Sequence, residues 1–243
     1  VRNGNPIQDI YGKDTGEADP AVTVALHAYA TGTAGEHEAL TALAGARLVV
    51  PVVAMLNESH PAQPAESPGK SSPRNGGTGP EKKNAGSGTE KETEMALPTL
   101  VGNDGRTAVI AFTGTESVAR WNPEARPVPF PASRVWEYAA AEAEAVVIDV
   151  AGPVALAIEG ARLRALAAGK PVPLPHEDPD VRAQIAEVTS DFDLEAGPDG
   201  SDFAVALRSA DPEQVRAIAQ EITSRVRAQG RFRRGVAFRL ISP

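Results

Sequence analysis

The sequence predicts an α/β protein of the α+β kind, a mixed-sheet N-terminal domain with flanking helices followed by a small C-terminal domain of β-β-α-β order. Three observations predict it. Hydrophobic residues are 42% of the 243, and Ala, Val and Leu dominate them, which is material for packed layers. Apolar runs of strand length alternate with stretches of helical period. The apolar run Arg47-Leu-Val-Val-Pro-Val-Val-Ala-Met-Leu56 breaks off into a polar tract, Asn57 to Glu94, and resumes at Met95. That tract contains no Val, Ile, Leu, Phe, Tyr or Trp. It cannot offset the roughly 1–2 kcal/mol per residue of backbone ordering entropy, so a disordered insertion within one globular unit is expected.

The elements follow in order. Asp19 and Pro20 open a helix, the carboxylate accepting free N–H groups of the first turn and the proline preset for the first helical position. A second helix, 35–44, places Leu40, Leu43 and Ala44 on one face and stops at Gly45. Leu48 to Leu56 reads as a strand covered on both faces, with Pro51 marking an edge, a bulge or a kink. Residues 96–101 and 107–113 flank Asn103-Asp-Gly105 and predict a hairpin. Thr115 is a candidate cap for a short helix ending near Trp121. Arg126-Pro-Val-Pro-Phe-Pro131 suits an edge or an extended connector, because proline cannot donate to a ladder. An Ala-rich helix over 133–145, strands over 146–150 and 154–158, and a helix over 161–168 closed by Gly169 complete the first domain.

Lys170-Pro-Val-Pro-Leu-Pro-His176 reads as a semi-rigid spacer. Beyond it, 192–196 and 203–208 bracket Gly197-Pro-Asp-Gly-Ser201 as a second hairpin. Asp211 and Pro212 then open a helix whose Val215, Ile218, Ala219, Ile222 and Val226 form one apolar stripe, and 236–241 is a last strand. The expected arrangement is one amphipathic helix on a small antiparallel sheet. The expected organisation is therefore a disordered 1–17, a domain over 18–169 with the insertion 57–94, a linker over 170–177, and a domain over 178–243.

Composition narrows the function classes. Aromatic residues are 5% and the formal net charge is −8, which disfavours nucleic acid. Residues 211–243 nonetheless hold seven Arg against Asp211, Glu213 and Glu221. With no cysteine, thiolate nucleophiles, disulfides and cysteine-bound zinc are excluded. No window approaches the 18 or so apolar residues of a membrane span and the first residues lack a signal-peptide core, so a cytoplasmic protein is expected.

Motifs for chemistry are sparse. Gly69-Lys70-Ser71 looks like the end of a phosphate loop, but the motif's first glycine would fall on Pro64 and no buried strand precedes it. His27, His37, His60 and His176 share no ligand spacing, so no metal or other cofactor is expected. Asp149 closes a buried strand, either as a ligand-facing group at the strand end or as a cap for the Ala-Gly-Pro turn; Thr113 and Thr115 are its candidate companions in a pocket. Arg120 and Trp121 are either a contact surface or a core filler with a rim ion pair. Arg225, Arg227, Arg231, Arg233 and Arg234 are either a basic patch for an acidic protein surface or a solvated helix end.

Leu48 to Ala54, Pro98-Thr99, Phe112-Thr113, Arg120-Trp121, Val146 to Asp149 and Gly152-Pro153, in that order, resemble the SseB family. Ala18-Asp19-Pro20 and the entry Gly45 to Val52 look like its actinobacterial members. The resemblance covers 18–169, and the tract 57–94 is longer than in compact members. It implies a mixed α/β domain with no established enzymatic activity, often followed by a second small domain, and it transfers no catalytic positions. The expected function is a non-enzymatic protein-binding or regulatory adaptor with an unidentified protein partner; the alternative is a small-molecule or enzymatic pocket near Asp149.

Overall fold

The computed structural model describes residues 14–52, 97–102, 105–209 and 211–241. Residues 1–13, the insertion 57–94 with its Gly69-Lys70-Ser71 and His60, and the turn residues Asn103 and Asp104 lie outside the described residues.

The α+β class holds. Helix α1 (Pro20–Ala30) is capped by Asp19, whose carboxylate accepts the Ala21 N–H at 2.8 Å, and buries Val22, Leu26 and Tyr29 at spacings of four and three. Helix α2 (Glu36–Ala44) buries Ala39, Leu40 and Leu43. Strand β1 (Arg47–Val52) pairs antiparallel with β4 (Arg126–Pro131) in a two-stranded sheet, Pro51 facing Pro127. Both strands are edges there, which is how four prolines can sit in one ladder. A second sheet has the order β2 (Thr99–Val101), β3 (Thr107–Ala111), β5 (Ala145–Ile148), β6 (Leu156–Glu159), with only the β3–β5 pair parallel.

A bridge joins the two sheets: Val49 and Phe112 exchange backbone hydrogen bonds of 2.7 and 2.8 Å. Strand alternation then distributes the side chains. Leu48, Val50, Val109 and Ala111 enter the large core with α1, α2, α4 (Ala132–Glu142) and α5 (Gly160–Ala167), whereas Val49, Ile110 and Phe112 pack on Val118 of α3 (Thr115–Trp121). Thr115 is the first residue of α3 and not its cap, because Gly114 holds the extended cap conformation.

Three further expectations change. Residues 14–17 are tied down, since Arg47 pairs with Asp14 at 2.8 Å and donates to the Glu17 carbonyl. The segment 170–177 is a packed strap and not a free spacer, with Val172 in the large core and Pro175 buried. A helix absent from the expected order, α6 (Pro179–Ala186), follows it, capped by Asp178 onto the Asp180 N–H at 2.9 Å.

The C-terminal part packs α6 and α7 (Pro212–Ala228) on a sheet ordered β7 (Phe192–Ala196), β8 (Phe203–Arg208), β9 (Val236–Ile241). The sheet is mixed, with β7–β8 antiparallel and β8–β9 parallel. A helix linking adjacent strands carries the chain back along the sheet, so the second strand restarts in the direction of the first.

A buried ionic network ties this part to the rest. Arg231, just past α7, reaches Glu36 of α2 and Asp178 at 2.5 Å each, and Glu36 also pairs with Arg162 of α5. Glu36 is 2% exposed and Asp178 0%. Burial pulls the Arg162 guanidinium below its ordinary value despite Glu36. At Arg231 burial acts the same way, but Glu36 and Asp178 outweigh it and the value rises. Arg231→Met, which leaves the buried Asp178 without its cation and Glu36 with Arg162 alone, is expected to lower stability by about 3–5 kcal/mol in urea unfolding. A loss under about 1 kcal/mol would show that the network carries no such weight.

Candidate functional site

Asp149 takes a left-handed conformation, φ 49°, which Asp tolerates better than most residues. Its carboxylate is spent on the neighbouring strand end: Oδ1 accepts the Thr113 N–H at 3.0 Å and Oδ2 the Thr113 hydroxyl at 2.7 Å. The turn is held instead by backbone, Gly152 N–H donating to the Asp149 carbonyl at 2.7 Å. A side chain on residue 152 would strike Asp149, so glycine is required there. Thr113 and Asp149 are both buried and clamp the tips of β3 and β5. Thr115 sits apart, in a cleft of about 270 Å³ lined by Asp14, Val49, Pro127 and Pro129. Among the described residues, Thr113 and Asp149 are joined to each other and Thr115 lines a separate cleft.

Arg120 and Trp121 divide as well. Arg120 forms an exposed pair with Glu116 at 2.5 Å, while Trp121 packs on Phe112 with ring centroids 5.8 Å apart.

The expected basic patch is also dispersed. Arg231 is 9% exposed and committed to the network, which removes it from any surface. Arg225 is held by Glu187 and Glu221 at 2.7 Å each. Arg233 stacks 5.5 Å from the Tyr29 ring, and Arg234 gives its backbone N–H to Asp202. Arg227 lines an open groove.

That groove, about 500 Å³, lies between α7 and the end strand β9. Its helix wall is a second stripe beside the buried one: Arg216, Gln220, Thr223 and Arg227 recur at spacings of four, three and four. Phe238 and Ala219 supply apolar surface. Leu240, two residues along β9 and so on the same sheet face as Phe238, is 58% exposed. Arg216 and Arg227 have no ionic partner among the described residues. The spacing that marks Arg216 was present in the sequence, but only the position of β9 makes that stripe one wall of a groove.

A second cavity, about 510 Å³, opens where α5 meets α6. Its charges answer one another: Arg106 pairs with Glu159 at 2.6 Å, and Asp180 accepts the Ala161 N–H at 2.6 Å with Arg164 at 3.6 Å. Among the described residues no cluster of three His, Asp or Glu could hold a metal ion, and no helix is long and apolar enough to cross a membrane.

The family model described as SseB protein N-terminal domain matches residues 22–165. No curated protein and no solved structure matches the chain.

The Asp149 clamp and Asp202 each generate a test. Asp149→Ala is expected to cost about 2–3 kcal/mol, since it orphans the buried Thr113 groups and places Ala at positive φ, whereas Asp149→Asn, which keeps an acceptor and tolerates that φ, should cost less than half as much. Urea titration of the two variants checks the order. Asp202 accepts the Arg234 and Gly235 N–H groups through Oδ2 at 2.9 and 3.0 Å, while its Oδ1 is buried without a protein partner. Burial raises its carboxyl above the ordinary value, against the lowering pull of those two N–H groups. A carboxyl raised in the folded state contributes stability that is present below the unfolded pKa and lost as pH rises through the folded one. Asp202→Asn is thus expected to exceed the parent in stability at about pH 7, with the gap closing towards about pH 4. A gap that stays constant with pH would refute the assignment.

Proposed function

Given that this chain belongs to the SseB family, we propose that it is a non-enzymatic protein-binding adaptor acting in the cytoplasm, and that it binds its partner in the groove between α7 and β9. One observation carries the reading: two arginines without an ionic partner among the described residues flank an apolar surface in a chain whose formal net charge is −8. An exposed arginine is content in water, and a pair with a surface carboxylate is worth only about 0–1 kcal/mol. These two therefore do little for the fold, and their gain comes on meeting carboxylates of another molecule over a surface that excludes water.

The site is also preorganised. Helix α7 is held at its start by Asp211, which accepts the Glu213 N–H at 2.9 Å, and just beyond its end by the Arg231 network. A binding wall ordered in advance loses less entropy on association. One groove falls well short of the roughly 800 Å² per partner of a standard stable interface, so a transient, micromolar contact is expected.

A photo-crosslinking residue at Gln220 is expected to capture a partner protein in the native host, and the same residue at Glu137, on α4, is not. The double variant Arg216→Glu, Arg227→Glu should cut the Gln220 adduct at least about tenfold. Equal capture from both positions, or none from Gln220 while native mass spectrometry finds a retained small molecule, would remove the reading.

A further inference from the structure

The groove is bounded on one side by a strand edge. Strand β9 ends the order β7-β8-β9, so among the described residues its outer edge pairs with no strand. Every second residue of such a strand directs its N–H and C=O outward, and natural edges are blunted by proline, bulges or inward-pointing charge. Within Val236–Ile241 there is no proline, and the one charged residue, Arg239, is drawn back across the other face of the sheet to Glu195 on β7. The face towards α7 carries Val236, Phe238 and Leu240.

From this edge, and building on the adaptor reading, we propose that the occupant is an extended acidic segment of the partner that adds to β9 as a fourth strand. Strand addition supplies affinity through backbone hydrogen bonds and specificity through alternate side chains. The spacing of the wall sets the sequence it accepts. Arg216 and Arg227 are eleven residues apart on α7, about 16 Å along the helix. Helix α7 crosses back between two parallel neighbours, so it runs roughly alongside β9 in the opposite direction. Along an added strand, 16 Å is about five residue steps. The nearest spacing that keeps both side chains on one face is four steps, about 13 Å, the difference being within the reach of two long arginine side chains. Side chains on one face recur every second residue, so two carboxylates at positions p and p+4 meet the two arginines and the residue at p+2 lies over Phe238 and Ala219. The accepted pattern is acid-x-apolar-x-acid.

The test is selection from a bead-displayed library of random nonapeptides with the full chain. Enrichment of an acid at p and p+4 with an apolar residue at p+2 is expected. The selected peptide should bind at least about tenfold more weakly to the double variant Arg216→Glu, Arg227→Glu, whose thermal midpoint is unchanged because both sites are exposed. Methylating its backbone nitrogens one at a time should abolish binding at every second position and leave the others intact, the signature of a single strand edge. An unrelated motif, or tolerance of methylation throughout, overturns strand addition. If the Gln220 crosslink still forms in that case, the adaptor role survives with a different mode of recognition. Peptide binding as described without any cellular adduct keeps the strand addition and removes the adaptor role. Sedimentation of the parent as a dimer that the double variant dissociates names a second copy as the occupant and overturns the proposal.

Discussion

The arrangement of the molecule hangs on four buried charges. Glu36 opens α2, Arg162 lies on α5, Asp178 caps α6 and Arg231 follows α7, so four segments distant in sequence meet at one point. Two carboxylates and two guanidinium groups sum to zero charge, but burying any one of them alone costs several kcal/mol. The set is tolerable only when complete, and an ordinary apolar contact has no such requirement because it can slide. Asp178 shows how tightly the geometry is shared: one oxygen caps α6 through the Asp180 N–H while the other takes Arg231. The Tyr29 hydroxyl adds a bond to the Arg231 carbonyl at 2.9 Å. The C-terminal sheet is therefore docked in a single orientation, and the end of α7, with Arg227 one turn before Arg231, is held with it.

The two faces of that sheet are treated differently. Towards α6 and α7 lie Phe192, Leu194, Phe203, Val205 and Leu207, closed by Ile222, Val226 and Phe232. On the opposite face Ala204 and Ala206 are buried, although no helix of that core covers them. Arg239 on β9 reaches Glu195 on β7 across β8, and Arg208 pairs with Asp193, so charged side chains roof the small alanines. Long arginine stems cover apolar surface while their heads stay wet. The outer face is thereby sealed, which leaves the margin of the inner face, where Phe238 and Leu240 run out beyond α7, as the open apolar surface of this part.

Most of the side chains expected to be functional are engaged within the fold. Asp149 and Thr113 are chemically conspicuous, but each satisfies the other, and their effect is to clamp two strand ends. Of the six arginines after residue 224, Arg225, Arg231, Arg233 and Arg239 engage their side chains within the fold, and Arg234 gives its backbone N–H to Asp202. Arg227 of that set lines the groove together with Arg216, which is inconspicuous in sequence because arginine on an exposed helix face is ordinary.

Local chemistry was legible in the sequence. Asp19-Pro20 and Asp211-Pro212 announce α1 and α7, glycines 45 and 169 their neighbours' ends, and the apolar stripe of α7 its buried face. The same signal at Asp178-Pro179 announces α6, but it stands behind prolines 171, 173 and 175, whose composition reads as a spacer. These features are carried by residues within a few positions of one another, so the sequence by itself determines the elements, their order and the α+β class. Whether β9 runs parallel to β8, whether Asp149 faces a turn or Thr113, and which arginines stay free depend on partners up to two hundred residues away. Only the tertiary structure decides them, because a charged or polar side chain takes its role from whichever group the packed backbone brings within about 3 Å.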